Sequence, residues 1–400
     1  MAATLDRPHR SQRPTLGGDG RDDAARPTRA TAHAWRRRVL VAVLLVPLLL
    51  TGWSYVGALT YPGSASASVR TVDWLRTHGA AGIVDRIEVW HYSHQEPPRT
   101  GTPTGPFPPA PDAAQRARAA SAPPAERPIL HPGVAPTFAG EAAWTPGPVD
   151  TAGRITTETT WFRPDPTHPT VVVGALWIDQ RATALHLIAG TREPGHGPWP
   201  GTAQVPLDQR STTVAAFNSG FLLRDSGGAF YEAGRRAGTF LAGGASVVID
   251  RSGHATLGAW GRDVGLHRTT YAVRQNLHLI VDHGRPVPGL VSNGHKLWGS
   301  RKSQLEYTWR SALGIDGNGN LVYVAGNHLT LTMLADALTQ AGSVRAMQLD
   351  IHPPTTTANL FLLGADDHRT APVKLLPGMN RPADRYLAPD QRDFFTVTVR

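Results

Sequence analysis

No cysteine occurs among the 400 residues. That excludes a disulfide-stapled scaffold, a thiolate zinc site and a cysteine nucleophile. It leaves secretion open, because a large domain can fold outside the cell without disulfides. Charge is scarce too: 18% of residues are charged against 40% hydrophobic, too apolar a balance for a wholly disordered chain. Familiar catalytic signatures are missing. There is no Gly-x-Ser-x-Gly elbow, no phosphate loop ending Gly-Lys-Ser/Thr and no His-Glu-x-x-His. Gly317-x-Gly319 lacks the third glycine and the following helix of a dinucleotide fingerprint, and reads as a turn. His91 and His94 have no further ligand nearby, so no metal site is expected.

What is present is unevenly placed. The formal net charge is +9, and nine arginines face four aspartates before residue 39. This basic tail holds one aromatic, Trp35, and no apolar period, so a nucleic-acid partner is not expected. The residues after it explain it better. Val39–Leu59 is uncharged, and roughly 20 such residues cross a hydrocarbon core of about 30 Å. Pro47 is tolerated in a membrane helix, and Trp53 and Tyr55 suit the far interface. Arg36–Arg38 directly before the span put the amino terminus in the cytoplasm, and the rest of the chain outside. We read this run as an uncleaved signal anchor. Ala65-Ser66-Ala67 supports the competing reading, a cleaved signal peptide.

Four segments follow from composition and periodicity. Residues 1–38 are a basic, disordered cytoplasmic tail and 39–59 the anchor. Residues 60–95 carry apolar positions Val69, Val72 and Leu75, then Ile83, Ile87 and Trp90, which predict two short amphipathic helices broken at Gly79 or Gly82. They lie on the membrane surface or pack against the later domain. Residues 96–148 contain fourteen prolines and few large aliphatics, and read as a semi-rigid tether.

Residues 149–400 form the globular domain, for which the pattern predicts an α+β class: a β-rich mixed sheet with a few helices. Thr170–Ile178 and Ala182–Ala189 around Asp179-Gln180-Arg181 suggest a hairpin. Ser246–Ile249 and Ala255–Ala259 suggest a second, and Ala312–Ile315 and Leu321–Ala325 a third, with Gly and Asn in its turn. Further strands are expected at Leu277–Val281, Arg345–Leu349, Ala358–Leu363 and Phe394–Val399. A helix is expected after Thr330 or Thr332, with Leu331, Leu334, Ala335 and Leu338 on one face and Gly342 as its stop.

Four polar clusters sit at the ends of these strand-like runs. They are Phe217-Asn218-Ser219-Gly220-Phe221; Arg274-Gln275-Asn276; Arg310-Ser311-Ala312-Leu313-Gly314-Ile315; and Ala346-Met347-Gln348-Leu349-Asp350-Ile351-His352. A guanidinium entering a buried strand at Arg310 must be paired, by a carboxylate or by a ligand phosphate. Asp350 and His352 end an apolar strand, where either a cleft or plain backbone capping would use them.

In order and spacing these clusters, with the Leu329–Gly342 helix, resemble the phosphodiester glycosidase family over about Thr213 to Thr357. The Arg310–Asp350 block is the most specific part. Two departures stand out. The family's Asn-Gly-Gly is here Asn218-Ser219-Gly220. Its Leu-Asp-Gly-Gly-Gly-Ser is here Leu349-Asp350-Ile351-His352-Pro353-Pro354-Thr355, which removes two backbone amides. Thr355–Thr357 can return hydroxyl donors but not that cradle. The departures imply a divergent subgroup with an altered substrate, or one without turnover.

The resemblance implies hydrolysis of a sugar–O–phosphate–O–R link, with a phosphodiester-linked carbohydrate as partner and no cofactor; a divalent ion is left open. It assigns Arg310 to the phosphate and Asp350 to the anomeric centre as base or nucleophile. Asn218, Gln275 and Asn276 would hydrogen-bond the substrate, with Thr355 beside them. His352 is a proton shuttle or structural. Glu306 is a second carboxylate or the partner of Arg310. The alternative function is an envelope-assembly protein that binds a glycan phosphate without cleaving it.

Overall fold

In a computed structural model of the chain, the described residues are 29–61, 65–105, 126–195, 197–299, 302–362 and 371–400, with isolated positions between 106 and 125. The basic tail before residue 29 and most of 106–125 in the proline-rich stretch lie outside the described residues. The chain divides into two units, residues 1–57 and 58–400. In the first, α1 (Arg29–Thr60) contains Pro47. Its part Trp35–Thr60 is long and apolar enough to cross a membrane, a property a signal sequence shares.

The second unit opens with the two short helices the periodicity predicts. Ser66 caps α2 (Ala67–Leu75) by accepting from the Val69 amide. A π-type turn over Arg76–Ala80 leads into α3 (Ala81–Ser93). The break falls at Gly79, whose φ of +89° a side chain would strain. Arg76 ties the helices together through Asp85 and Glu88 of α3. The pair rests on the β domain, where the Tyr307 amide donates to the Tyr92 carbonyl.

Among the described residues two antiparallel sheets make up that domain, and the larger has twelve strands. Its main order is β1 (Thr145–Pro146), β2 (Thr157–Phe162), β3 (Val173–Ile178), β13 (Leu321–Leu329), β12 (Thr308–Asp316), β14 (Ser343–Ile351), β10 (Thr270–Asp282), β6 (Ala229–Glu232) and β7 (Arg235–Gly238). Strands β8 (Gly244–Asp250) and β11 (Arg285–Pro286) also pair with β10, and β9 (Ala255–Ala259) pairs with β8. The smaller sheet runs β16 (Val373–Lys374), β15 (Ala358–Leu360), β5 (Thr213–Asn218), β17 (Phe394–Val399) and β4 (Thr183–Ile188). The β-rich α+β class expected from the sequence is the one observed.

Alternation along the strands builds the layers. Leu313, Tyr323, Met347 and Leu349 from the large sheet meet Leu185, Phe217, Phe395 and Val397 from the small one in the main core. On the other face of the large sheet, α4 (Leu331–Gln340) covers Trp177, Ala312, Val322 and Val324. Thr330 caps α4 through the Met333 amide, and Gly342 follows it at φ +85°.

One expected hairpin is not there. Strands β3 and β4 join different sheets, and Asp179-Gln180-Arg181 is a corner between them. Both strands are buried almost throughout, so nothing in their own pattern says which sheet each should join. The hairpins β8–β9 and β12–β13 form as read.

The proline-rich stretch expected to be a tether contributes to the packed unit. Leu130, Val134 and Glu141 are buried, and Glu141 forms a buried two-toothed pair with Arg163. β1 adds Thr145–Pro146 to the edge of the large sheet, a place proline tolerates. The composition boundary near Pro148 thus falls inside this unit.

Candidate active site

The carboxyl end of β14 and the start of β12 lie side by side, with Arg310 opposite Ile351. Since Met347 and Leu349 fill the intersheet core, strand alternation sends Gln348 and Asp350 to the other face. There they border a cavity of about 480 Å³. Arg310, Glu306, His352 and Thr355 border it too, as do Asp73 and Arg76 from the start of the unit, Glu88 and Tyr92 of α3, and Arg381, Arg385 and Arg392 from the carboxyl-terminal segment.

Asp350 is fixed from three sides. Its amide donates to the Ser219 carbonyl, its Oδ1 accepts from the Ile351 amide at 2.9 Å, and its Oδ2 pairs with Arg392 at 2.7 Å. Burial pushes its carboxyl up to about 6, against the pull of Arg392. At neutral pH it is therefore mostly an anion.

Glu306 is also buried, and its Oε2 has no hydrogen-bond partner among the described residues. Burial raises it to about 7, opposed by Arg310. That is a carboxyl poised to give up or take a proton near neutrality.

Arg310 is buried to 1% exposure. Its Nε donates to the Leu329 carbonyl at 2.7 Å and Nη2 to the Glu306 carbonyl at 3.2 Å. Burial lowers its guanidinium to about 10, so it stays charged at pH 7.

His352 stacks on Tyr92 with centroids 4.9 Å apart, and its Nδ1 lies 3.2 Å from Thr308 Oγ1. Its Nε2 is 3.6 Å from Glu88 and 3.8 Å from Glu306. Burial, with Arg310 and Arg76 nearby, pushes the imidazole down to about 3. The two carboxyls it faces are themselves raised toward their neutral forms by burial, which fits a neutral ring. The backbone at His352 has φ +78°, a conformation natural to glycine and strained for a side chain. A left-handed backbone that glycine would suit is here carried by a histidine.

Pro353 and Pro354 offer no amides, and their turn is held from the other side. Arg385 donates to the Thr355 carbonyl at 3.1 Å and to Thr357 Oγ1 at 2.8 Å. Its Nε meets Asp390 Oδ2 at 2.7 Å. Arg381 reaches the Pro354 carbonyl.

Of the residues singled out from the sequence, Asp350, Arg310, His352, Glu306 and Thr355 meet at this cavity. Asn218, Gln275 and Asn276 do not border it. Asn218 is buried and bonds Ser311, Tyr323 and the Thr357 amide. Asn276 donates to the Gln348 carbonyl at 2.7 Å and accepts from the Phe221 amide. Gln275 is held by Leu241 and Ser246. These three amides splice the strand ends together behind the cavity.

Sequence reasoning missed Gln348, the three carboxyl-terminal arginines and the α2–α3 wall. The period-2 relation of Gln348 to Asp350 was a usable signal. Nothing local ties Arg392 to a residue 42 positions away. Among the described residues no group of three His, Cys, Asp or Glu side chains is placed to hold a metal ion.

No curated protein matches the chain. Among solved structures, it is similar to the zebrafish N-acetylglucosamine-1-phosphodiester alpha-N-acetylglucosaminidase catalytic domain auto-inhibited by pro-peptide. That match has 14% identity over 64% of this chain and 87% of that one, with a TM-score of 0.40. A hypothetical protein from Synechocystis is 16% identical over 61% of this chain and 62% of its own, TM-score 0.37. A putative exported protein from Burkholderia pseudomallei is 11% identical over 59% and 75%, TM-score 0.33. The model of the phosphodiester glycosidase family matches residues 211–350, which span β5 to β14 and include Arg310, Glu306 and Asp350. The resemblance read from the strand-end clusters therefore stands: this part of the chain matches the phosphodiester glycosidase domain.

Proposed function

We propose that the protein is a membrane-anchored, extracytoplasmic hydrolase of sugar-1-phosphodiester linkages in envelope glycans. The observation that carries this reading is the meeting of Asp350, Glu306 and Arg310, all within the family-matched segment, at one cavity. Breaking the bond from anomeric carbon to a phosphate oxygen demands little of a general acid, because a phosphate ester leaves readily. It demands more of the charge around an oxocarbenium-like sugar. In this reading Asp350, ionised at neutral pH, serves the anomeric centre as base or nucleophile. Glu306 supplies or receives the proton, and Arg310 faces the phosphate. His352 stays neutral and holds the turn between them. Asn218, Gln275 and Asn276 act as positioning residues. The run 39–59 anchors the domain, and Arg36–Arg38 keep the amino terminus inside.

A second reading, a binder of glycan phosphates without turnover, is favoured by one observation: Pro353 and Pro354 replace amide donors. The two separate on product release. We expect the parent protein to release sugar from a sugar-1-phosphodiester, and Asp350→Asn to cut kcat by about 10²–10⁴-fold. Undiminished turnover in that variant removes Asp350 from the chemistry. Retention without release by the parent establishes the binder. Arg310→Ala should weaken phosphodiester substrates more than a neutral glycoside; equal losses reject its assignment to the phosphate.

A further inference from the structure

One buried group beside Asp350 is left without a task. Gln348 is 1% exposed and borders the cavity. Neither its Oε1 nor its Nε2 has a hydrogen-bond partner among the described residues. Its main-chain carbonyl, by contrast, has a partner, receiving Asn276 Nδ2 at 2.7 Å. Leaving both ends of a buried amide unpaired is costly, and an apolar residue of the same shape would avoid it. Native structures tolerate such a cost where a bound molecule supplies the partners. Glu306 Oε2, also buried and without a hydrogen bond among the described residues, belongs to a residue that borders the same cavity. It makes this a polar surface that lacks hydrogen-bond partners among the described residues at more than one atom.

We propose that Gln348 is a substrate-binding residue that reads sugar hydroxyls. The amide gives one donor and one acceptor, two residues along β14 from Asp350. An anion would satisfy only the Nε2 end. A pyranose with neighbouring hydroxyls satisfies both, one hydroxyl accepting from Nε2 and the next donating to Oε1. Arg310 and Arg392 at the same cavity suit the phosphate, so the ligand's neutral, hydroxylated part falls to Gln348. This rests on the proposed function and adds to it a residue that sets specificity for the sugar.

The test uses Gln348→Met in the full chain, which keeps length and volume and removes both polar atoms. Thermal unfolding and calorimetric titration are measured, with a panel of methyl pyranosides and inorganic phosphate as ligands. We expect the melting temperature unchanged or raised, pyranoside affinity about 10–100-fold weaker, and phosphate affinity unchanged. In turnover of a sugar-1-phosphodiester, KM should rise while kcat changes less. A lowered melting temperature with pyranoside binding intact would make the amide structural and overturn the proposal. Equal weakening of phosphate and pyranoside would overturn it too, as would a parent protein that binds no pyranoside. A parent that binds pyranosides through Gln348 yet releases no product upholds Gln348 and rejects the hydrolase reading alone.

Discussion

Burial acts on the residues at this cavity in opposite directions. It raises the carboxyls of Asp350 and Glu306 and lowers the imidazole of His352, because in each case the charged form loses hydration. Asp350 near 6 and Glu306 near 7 lead to a narrow bell for kcat/KM, rising as Asp350 ionises and falling as Glu306 does. Glu306→Gln should abolish the alkaline limb near pH 7. The same variant has a stability signature. The folded-state carboxyl of Glu306 sits above its ordinary value of 4.5, so its contribution is intact below about pH 4.5 and is lost as pH rises through about 7. Glutamine does not titrate. The unfolding free energy of Glu306→Gln should therefore gain on that of the parent between those pH values and then level off, by on the order of 1–3 kcal/mol. A difference that is flat with pH would show that this carboxyl is not held above its ordinary range.

At the scale of elements, the corner between β3 and β4 decides how two sheets come from one chain. Gln180 makes it possible. Its Nε2 donates to the carbonyls of Ala255 at 2.8 Å and Gly319 at 2.6 Å, and its Oε1 accepts from the Ala255 amide at 2.7 Å. One side chain thus joins the start of β9 to the turn between β12 and β13. Gln180→Ala leaves three main-chain groups in need of partners, and we expect a loss of about 2–3 kcal/mol in chemical denaturation. A loss under about 0.5 kcal/mol would mean that the corner is set by packing alone. Because Asp179-Gln180-Arg181 does not border the cavity, activity per folded molecule should stay near that of the parent.

For the whole molecule, the sequence around α1 leads to a fractionation prediction. A span of this length and apolarity, preceded by Arg36–Arg38, should hold the protein in the membrane fraction through high salt and release it only with detergent. Added protease should reach the domain from the outer side of intact cells. Recovery of a soluble species beginning after residue 67 would instead establish cleavage at Ala65-Ser66-Ala67. Cleavage there would keep the cavity-lining residues from Ser68 onward but remove Ala65 and the Ser66 cap of α2, so activity should persist with an α2 that frays more readily at its start.

The sequence by itself determined whatever is written within a few neighbouring residues. It set the apolar span, the break at Gly79, the turns of β8–β9 and β12–β13, the capped helix after Thr330 and the strand-end motifs around Arg310 and Asp350. Each depends on a period, a cap or a left-handed backbone that adjacent positions specify. Only the tertiary structure decided where strands buried on both faces belong, which sent β3 and β4 to separate sheets and drew Leu130–Pro146 onto the domain. It also decided which polar groups face one another. Asn218 and Asn276 turned inward to tie strands together, while Gln348 and Arg392 reached the cavity. A side chain's desolvation and its partners come from residues distant along the chain, so local pattern shows that a polar group is buried but not what it meets.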